Sequence, residues 1–430
     1  MIIRKVAALR GSVKLPGDKS ISHRALMLAA IAEGSTRIRN LSESADVAST
    51  AQVLTSLGVA ISKESQEVIV KGCAGRLTAP QQPLDCGNSG TTMRLMSGLL
   101  AWQPFGSKLI GDVSLSKRPM RRVIEPLRLM GAEIESADDH PPLTIHGKQQ
   151  LQSIDYRTPI DSAQVKSCVL LAGLGAVGIT AVTESSLTRN HTERMLRWFG
   201  VELEEAHNGL EHRIGINGPA KLIARDLTIP SDTSAATFFL VAAACIPGSE
   251  LVLRNVGLNP SRVGIIEFLR SVGADISIGD ERLECNEELA DIVIRGGLGD
   301  TSKRHRLDGE KIAGLIDEIP ALAVLGTRLQ GGLEIRDAGE LRFKESDRIR
   351  SVVGNLRKMG ASVEEHEDGM TIGQSTLHGA QIESFDDHRI AMAFTVAGLI
   401  ADGTTEIVGA ECAAVSFPSF FSELSNVTVN

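Results

Sequence analysis

Lysine and arginine recur where a run rich in Pro, Gly, Asp or Ser passes into an apolar helical pattern. Lys19 and Arg24 lie in LPGDKSISHRALMLAA, Arg94 in DCGNSGTTMRL, Lys166 in SAQVKS, and His388 with Arg389 in DDHRIAMAF. Helix starts carry unpaired N–H groups and the positive end of the helix dipole. A cation placed there must have a reason, and binding phosphate or carboxylate is one. Further cations fall in loops: Lys117-Arg118, Arg121-Arg122, Arg189, and Lys344 with Arg348. Any one of these could be a solvated surface charge; the set suggests an anion site, with arginine giving bidentate contacts. Glu345 follows Lys344 directly, and Asp317-Glu318 is expected at the side of an apolar helix in LIDEIPAL. A carboxylate beside lysine can be poised for proton transfer. No Ser-His-Asp order, HExxH, Walker A or GxGxxG spacing is present, so hydrolase, metalloenzyme and nucleotide-loop readings find little support.

The elements that must position these residues form a repeat. A polar turn, an Ala/Leu-rich helix, a Gly-containing turn and a β-branched run occur from Leu15, Leu84, Arg157, Ile229, Arg306 and Ser384. A second helix follows each of the first five copies. It ends in a hydrophobic–Gly pair at Gly58, Gly131, Gly200, Gly273 and Gly360, where glycine is expected as the C-cap. The spacings between these glycines are 73, 69, 73 and 87. A last helix, 417–424, stands in the sixth position. Each copy reads as a βαβαββ-type unit, so the fold class is α/β, with two similar domains of three units each.

Composition bounds the function. The chain has 430 residues and a net charge of −8, with 42% apolar, 23% charged and 3% aromatic residues. That is ordinary for a globular protein and argues against a general nucleic-acid binder. The six cysteines show no CxxC spacing, no signal peptide is recognisable, and no apolar run is long enough for a bilayer. A reduced, cytoplasmic protein with no membrane partner is expected.

The motifs taken together resemble the 5-enolpyruvylshikimate-3-phosphate (EPSP) synthases, a family of enolpyruvyl transferases, over essentially the whole length. The resemblance rests on LPGDKSISHRALMLAA, DCGNSGTTMRL, SKRPMRRVIEPLRLMGA, SAQVKS, RNHTE, RFKESDRI and DDHRIAMAF. It implies an inverse α/β barrel-like pair of domains closing around an inter-domain cleft. One domain would be discontinuous, 1–16 plus 231–430, the other 17–230, with hinges at the crossovers near 16 and 230. It implies transfer of the enolpyruvyl group of phosphoenolpyruvate to the 5-hydroxyl of shikimate-3-phosphate, on the route to chorismate and the aromatic amino acids. The reaction would pass through a tetrahedral intermediate with no metal and no cofactor, and the enzyme would be a monomer.

By the family pattern, Lys19, Ser20 and Arg24 hold substrates, and Lys19 also serves in proton transfer. Ser162, Ala163, Gln164 and Arg189 contact shikimate-3-phosphate. Gly90, Arg118, Arg348 and Arg389 hold phosphoenolpyruvate, with His388 beside them. Asp317 accepts the hydroxyl proton, and Glu345 and Lys344 handle the methylene proton. GDKS, SAQVK, RNHTE and Asn259-Pro260-Ser261-Arg262 resemble motifs of the family's second class, often tolerant of the herbicide glyphosate, which targets the family. Two alternatives stay open: a UDP-N-acetylglucosamine enolpyruvyl transferase, and a non-catalytic anion-binding repeat protein. Ser20 after Lys19, and a SLSKRPMRR loop without cysteine, disfavour the first. The acidic groups beside the cations disfavour the second.

Overall fold

Six helices open on polar residues and are apolar nearly all round. They are Lys19–Ile31 (α1), Gly90–Leu100 (α2), Ala163–Gly173 (α3), Thr233–Cys245 (α4), Ile319–Gly326 (α5) and His388–Ile400 (α6). The computed structural model describes residues 1–148, 150–209 and 211–429. Asp18, Ser89, Asp232 and Asp387 cap α1, α2, α4 and α6 with their side chains, satisfying N–H groups of the first turn. Every residue of α4, α5 and α6 is buried. A helix without a polar face must lie inside the molecule.

The chain divides into two compact units: Met1–Pro16, Pro230–Arg282 and Glu288–Asn430 form unit 1, and Gly17–Ile229 with Leu283–Glu287 form unit 2. Each has its own apolar core. In unit 1, α4, α5 and α6 pack on one another; in unit 2, α2 packs on both α1 and α3. Three sheets belong to each unit.

Among the described residues five of the six sheets share one topology, and the sixth has three strands. In unit 2, Leu84–Asp85 runs parallel to Ser107–Ile110, followed by the antiparallel neighbours His140–His146 and Glu133–Ala137. His305–Leu307, Leu333–Ile335, Gly369–Ile372 and Val363–His366 repeat that order in unit 1. The parallel step is the βαβ crossover over a buried helix, and the hairpin follows the second helix. Three sheets borrow a strand from afar, among them that of the fourth repeat, where Ala8–Val13 runs parallel to Glu250–Gly257. Leu227–Thr228 pairs parallel with Ser35–Arg39, supplying the first strand of the first repeat. Ile2–Arg4 pairs antiparallel with Thr404–Val408 in the sixth.

The five glycines expected at helix ends have φ between 81° and 88°. At each, the glycine N–H donates three residues back and the next N–H donates five residues back, as in Gly58 to Thr55 and Val59 to Leu54. This is the Schellman arrangement, which needs a left-handed residue.

Two local expectations are corrected. Asp317 and Glu318 do not lie along the side of a helix. The fifth copy breaks into Glu310–Leu315 and α5, with Glu318 at the N-cap and Asp317 just before it. Pro320 lacks an N–H and is tolerated only in a first turn, so the helix restarts there. The last helix is Phe420–Val427, not 417–424, beginning after Pro418 and Ser419.

Candidate active site

In unit 1 the candidate residues gather around one guanidinium. Arg348 begins the helix Arg348–Lys358 and is 1% exposed. Its Nε donates to Asp387 Oδ2 at 2.8 Å and its Nη2 to Glu345 Oε2 at 2.6 Å. Nη1 lies 3.4 Å from Asp317 Oδ1. Burial alone would lower the Arg348 pKa, but Asp387, Glu345 and Asp317 outweigh it and the net shift is upward. Arg348 thus stays charged and fixes two carboxylates, each mostly buried yet reached by solvent. Arg389, in the first turn of α6, donates to the Asp317 carbonyl at 2.8 Å, with Nη2 3.8 Å from Asp317 Oδ2. His388 is buried at the first position of α6. Lys344 pairs with Glu340 at 3.2 Å.

Asp387 carries no role in the sequence reading, although it lies in DDHRIAMAF. It is fully buried, caps α6 through Arg389 N–H, and holds Arg348 with both oxygens. Its signal was an N-cap aspartate directly before two basic residues. A sequence shows the cap; it does not show a second partner 39 residues away.

In unit 2 a second set gathers at the starts of α1, α2 and α3. Lys19 opens α1 and pairs with Asp46 at 2.9 Å. Arg24 is buried and donates to Thr192, Ser167 and the Ser20 carbonyl at 2.6, 2.8 and 2.9 Å. Burial lowers its pKa to about 10, so it remains a cation at neutral pH. Gly90 opens α2. A Cβ there would lie 2.9 Å from Arg94 Nη1 and 3.4 Å from Arg118 Nη1, so the bare glycine backbone faces two guanidinium groups. Arg118 donates to Asn88 at 2.6 Å. Gln164 accepts from Arg94 at 2.7 Å and donates to Thr91 at 2.9 Å. Ser162 is the N-cap of α3 but gives the helix no side-chain hydrogen bond, leaving its hydroxyl and the N–H of Ala163 at an open helix end. Arg189 is half-buried in the loop before His191–Trp198.

Lys166 does not belong with these cations. It is fully buried between Glu184 at 2.7 Å and Glu193 at 2.8 Å. Burial alone would lower its pKa, but Glu193 and Glu184 outweigh it and the net shift is upward. Arg262 is likewise internal: it donates to Ser234, which donates to Glu318, and it lies 3.5 Å from the Glu318 carboxylate.

Unit 2 gathers cations and N–H groups at helix starts, an arrangement suited to anions, and unit 1 holds a carboxylate pair on an arginine, an arrangement suited to acid–base chemistry. The comparisons narrow the class. A family model for EPSP synthase (3-phosphoshikimate 1-carboxyvinyltransferase) matches residues 3–424, and the chain belongs to that family. A protein of Koribacter versatilis named 3-phosphoshikimate 1-carboxyvinyltransferase is 49% identical over 99% of this chain and 98% of its own length. One of the same name from Synechocystis is 49% identical over 98% of this chain and 94% of its own. An EPSP synthase structure from Acinetobacter baumannii superposes with a TM-score of 0.87 at 43% identity, covering 100% of this chain and 98% of that one. The chain is therefore a transferase rather than a non-catalytic repeat protein. Among the described residues no helix is long and apolar enough to cross a membrane.

Proposed function

We propose that the protein transfers the enolpyruvyl group of phosphoenolpyruvate to the 5-hydroxyl of shikimate-3-phosphate, releasing phosphate in aromatic amino-acid biosynthesis. The observation that carries this reading is the placement of Asp317 and Glu345 on one Arg348 guanidinium. Addition–elimination needs two proton transfers at two atoms, and two separately aimed carboxylates can serve both.

In the addition step the 5-hydroxyl oxygen bonds to C2 of phosphoenolpyruvate and loses its proton to Asp317. The methylene carbon C3 gains a proton, which Glu345 delivers, and becomes a methyl group. In the elimination step C3 returns a proton to Glu345 as the C2–O bond to phosphate breaks, and the leaving phosphate takes up the proton held by Asp317, so both carboxyl groups return to their starting states. Lys344 and Lys19 stabilise or move charge during these transfers, and His388 stands beside the residues that hold phosphoenolpyruvate. Ser20, Arg24, Ser162, Ala163, Gln164 and Arg189 hold shikimate-3-phosphate. For phosphoenolpyruvate, Gly90 and Arg118 are the contacts in unit 2 and Arg348 and Arg389 those in unit 1. Preorganised donors act most strongly where water is excluded. The crossovers near 16 and 230 serve as hinges, and the enzyme works as a cytoplasmic monomer. No step of this reading calls for a metal or an organic cofactor.

The test is phosphate release from the two substrates. Release with shikimate-3-phosphate but not with UDP-N-acetylglucosamine is expected. Glu345→Ala is expected to lower turnover by about two to four orders of magnitude while shikimate-3-phosphate still binds. Unchanged turnover would overturn the proton-transfer assignment.

A further inference from the structure

Unit 2 carries a ligand-bearing cluster that the transfer reaction does not use. It lies on the antiparallel strands Leu203–Asn208 and Glu211–Gly218. His207 and His212 are directly opposite in register, with stacked rings 4.7 Å apart at 26°. Glu205 precedes His207 by two residues and so projects from the same face. Glu205, His207 and His212 each offer one ligand atom, and the three lie within 4.8 Å of one another. Glu205 Oε1 is 2.8 Å from His212 Nε2 and 3.6 Å from His207 Nε2.

The surroundings orient this set. The other ring nitrogen of His212, Nδ1, is 3.3 Å from Glu184 Oε1. An outer carboxylate on the far nitrogen fixes the ring and raises its basicity as a ligand. Glu184 is itself held by Lys166 and by the Thr188 hydroxyl at 2.6 Å. Arg197 takes Glu205 Oε2, which leaves Oε1 facing the histidines. The positive charge of Arg197 weakens cation binding there, so an ion would be held reversibly. The His207 side chain is 59% exposed, which gives an ion access and leaves a coordination position for water.

The geometry points to a site on this hairpin for one first-row divalent ion of the zinc class, ligated by Glu205, His207 and His212. Two imidazoles and one carboxylate suit zinc, whereas magnesium and calcium favour all-oxygen sets. The test is titration of the metal-free full-length protein with Zn²⁺ against a chromophoric chelator. One equivalent is expected per chain, not displaced by excess Mg²⁺. His207→Ala and Glu205→Gln, both at exposed positions, are each expected to weaken Zn²⁺ binding by about tenfold or more. His378→Ala, in unit 1, is expected to leave it unchanged. Absence of a saturable equivalent, or undiminished affinity in His207→Ala or Glu205→Gln, would overturn the assignment.

Discussion

Lys166→Met should destabilise unit 2 severely, because it removes a cation held between two buried carboxylates. Lys166, Glu184 and Glu193 side chains are 0%, 0% and 2% exposed. Glu184 keeps the Thr188 N–H, the Thr188 hydroxyl and His212 as partners. The Glu193 carboxylate is held by Lys166, whose Nζ lies 2.8 Å from Oε1. Burial pushes the Glu184 carboxyl up. The His212 hydrogen bond, Lys166 and Thr188 outweigh this and hold it at about 2. Against an ordinary value of 4.5, that corresponds to on the order of 3 kcal/mol. This stabilisation is present above the ordinary carboxylate range and is lost as the pH falls towards 2. Breaking a buried pair by removing one partner costs about 3–5 kcal/mol. For a unit of this size that is roughly 6–20 °C in the melting midpoint.

The assay is selective. Both tryptophans, Trp102 and Trp198, lie in unit 2, so tryptophan fluorescence reports its unfolding. Adding Glu193→Gln to Lys166→Met should recover part of the loss. A loss below about 1 kcal/mol, or an equal loss with Glu193 already neutralised, would refute the reasoning.

Asp387→Ala should cost about 3–5 kcal/mol of unit 1 stability, since it removes the cap of α6 and a buried partner of Arg348 together. It should also lower kcat, by up to about a hundredfold, as Arg348 and the carboxylates it holds shift. Asp387→Asn should recover the part due to the cap and not the rate, which steady-state kinetics with parallel melts will separate. Gly200→Ala should cost about 1–2 kcal/mol from backbone strain alone, since φ is +87° and an added Cβ meets nothing within 4 Å. Gly58→Ala should cost more, because its Cβ would lie 2.6 Å from the Thr78 hydroxyl; urea unfolding measures both. His23 is buried, and burial together with Lys19 and Arg24 drives its pKa well below 6.5. The unfolded chain therefore takes up a proton below about pH 6.5 that the folded chain refuses, and unit 2 stability falls as pH drops through that range. His23→Gln should flatten that slope in fluorescence-monitored urea titrations.

What was legible in the sequence was whatever depends on neighbours along the chain. The hydrophobic–Gly pairs marked helix ends because a left-handed residue is needed locally, and the polar turns rich in Pro, Gly, Asp or Ser marked helix starts for a similar local reason. The candidate residues of DDHRIAMAF and RFKESDRI were readable as motifs. That they meet around Arg348 was not, because a guanidinium holding Asp317, Glu345 and Asp387 is a property of packing between repeats. Lys166 was misread for the same reason. At the head of an apolar helix it looked like a ligand cation, and only the fold brings Glu184 and Glu193 against it. The break before α5 could have been inferred from Pro320, since a proline cannot continue a helix from the preceding turns.

The first strand of the chain completes the last repeat, and this sets an order in time during synthesis. Ile2–Arg4 is made long before its partner Thr404–Val408 emerges. At roughly 5–20 residues per second that is a wait of about 20–80 s. Unit 2 is nearly continuous from Gly17 to Ile229, so most of its contacts can form during the interval. A permuted chain that begins at Gly17, with residues 1–16 attached after the present C-terminus, would produce the opening segment and its partner within seconds of each other. Its unit 1 should then close without the long wait of an unpaired Ile2–Arg4.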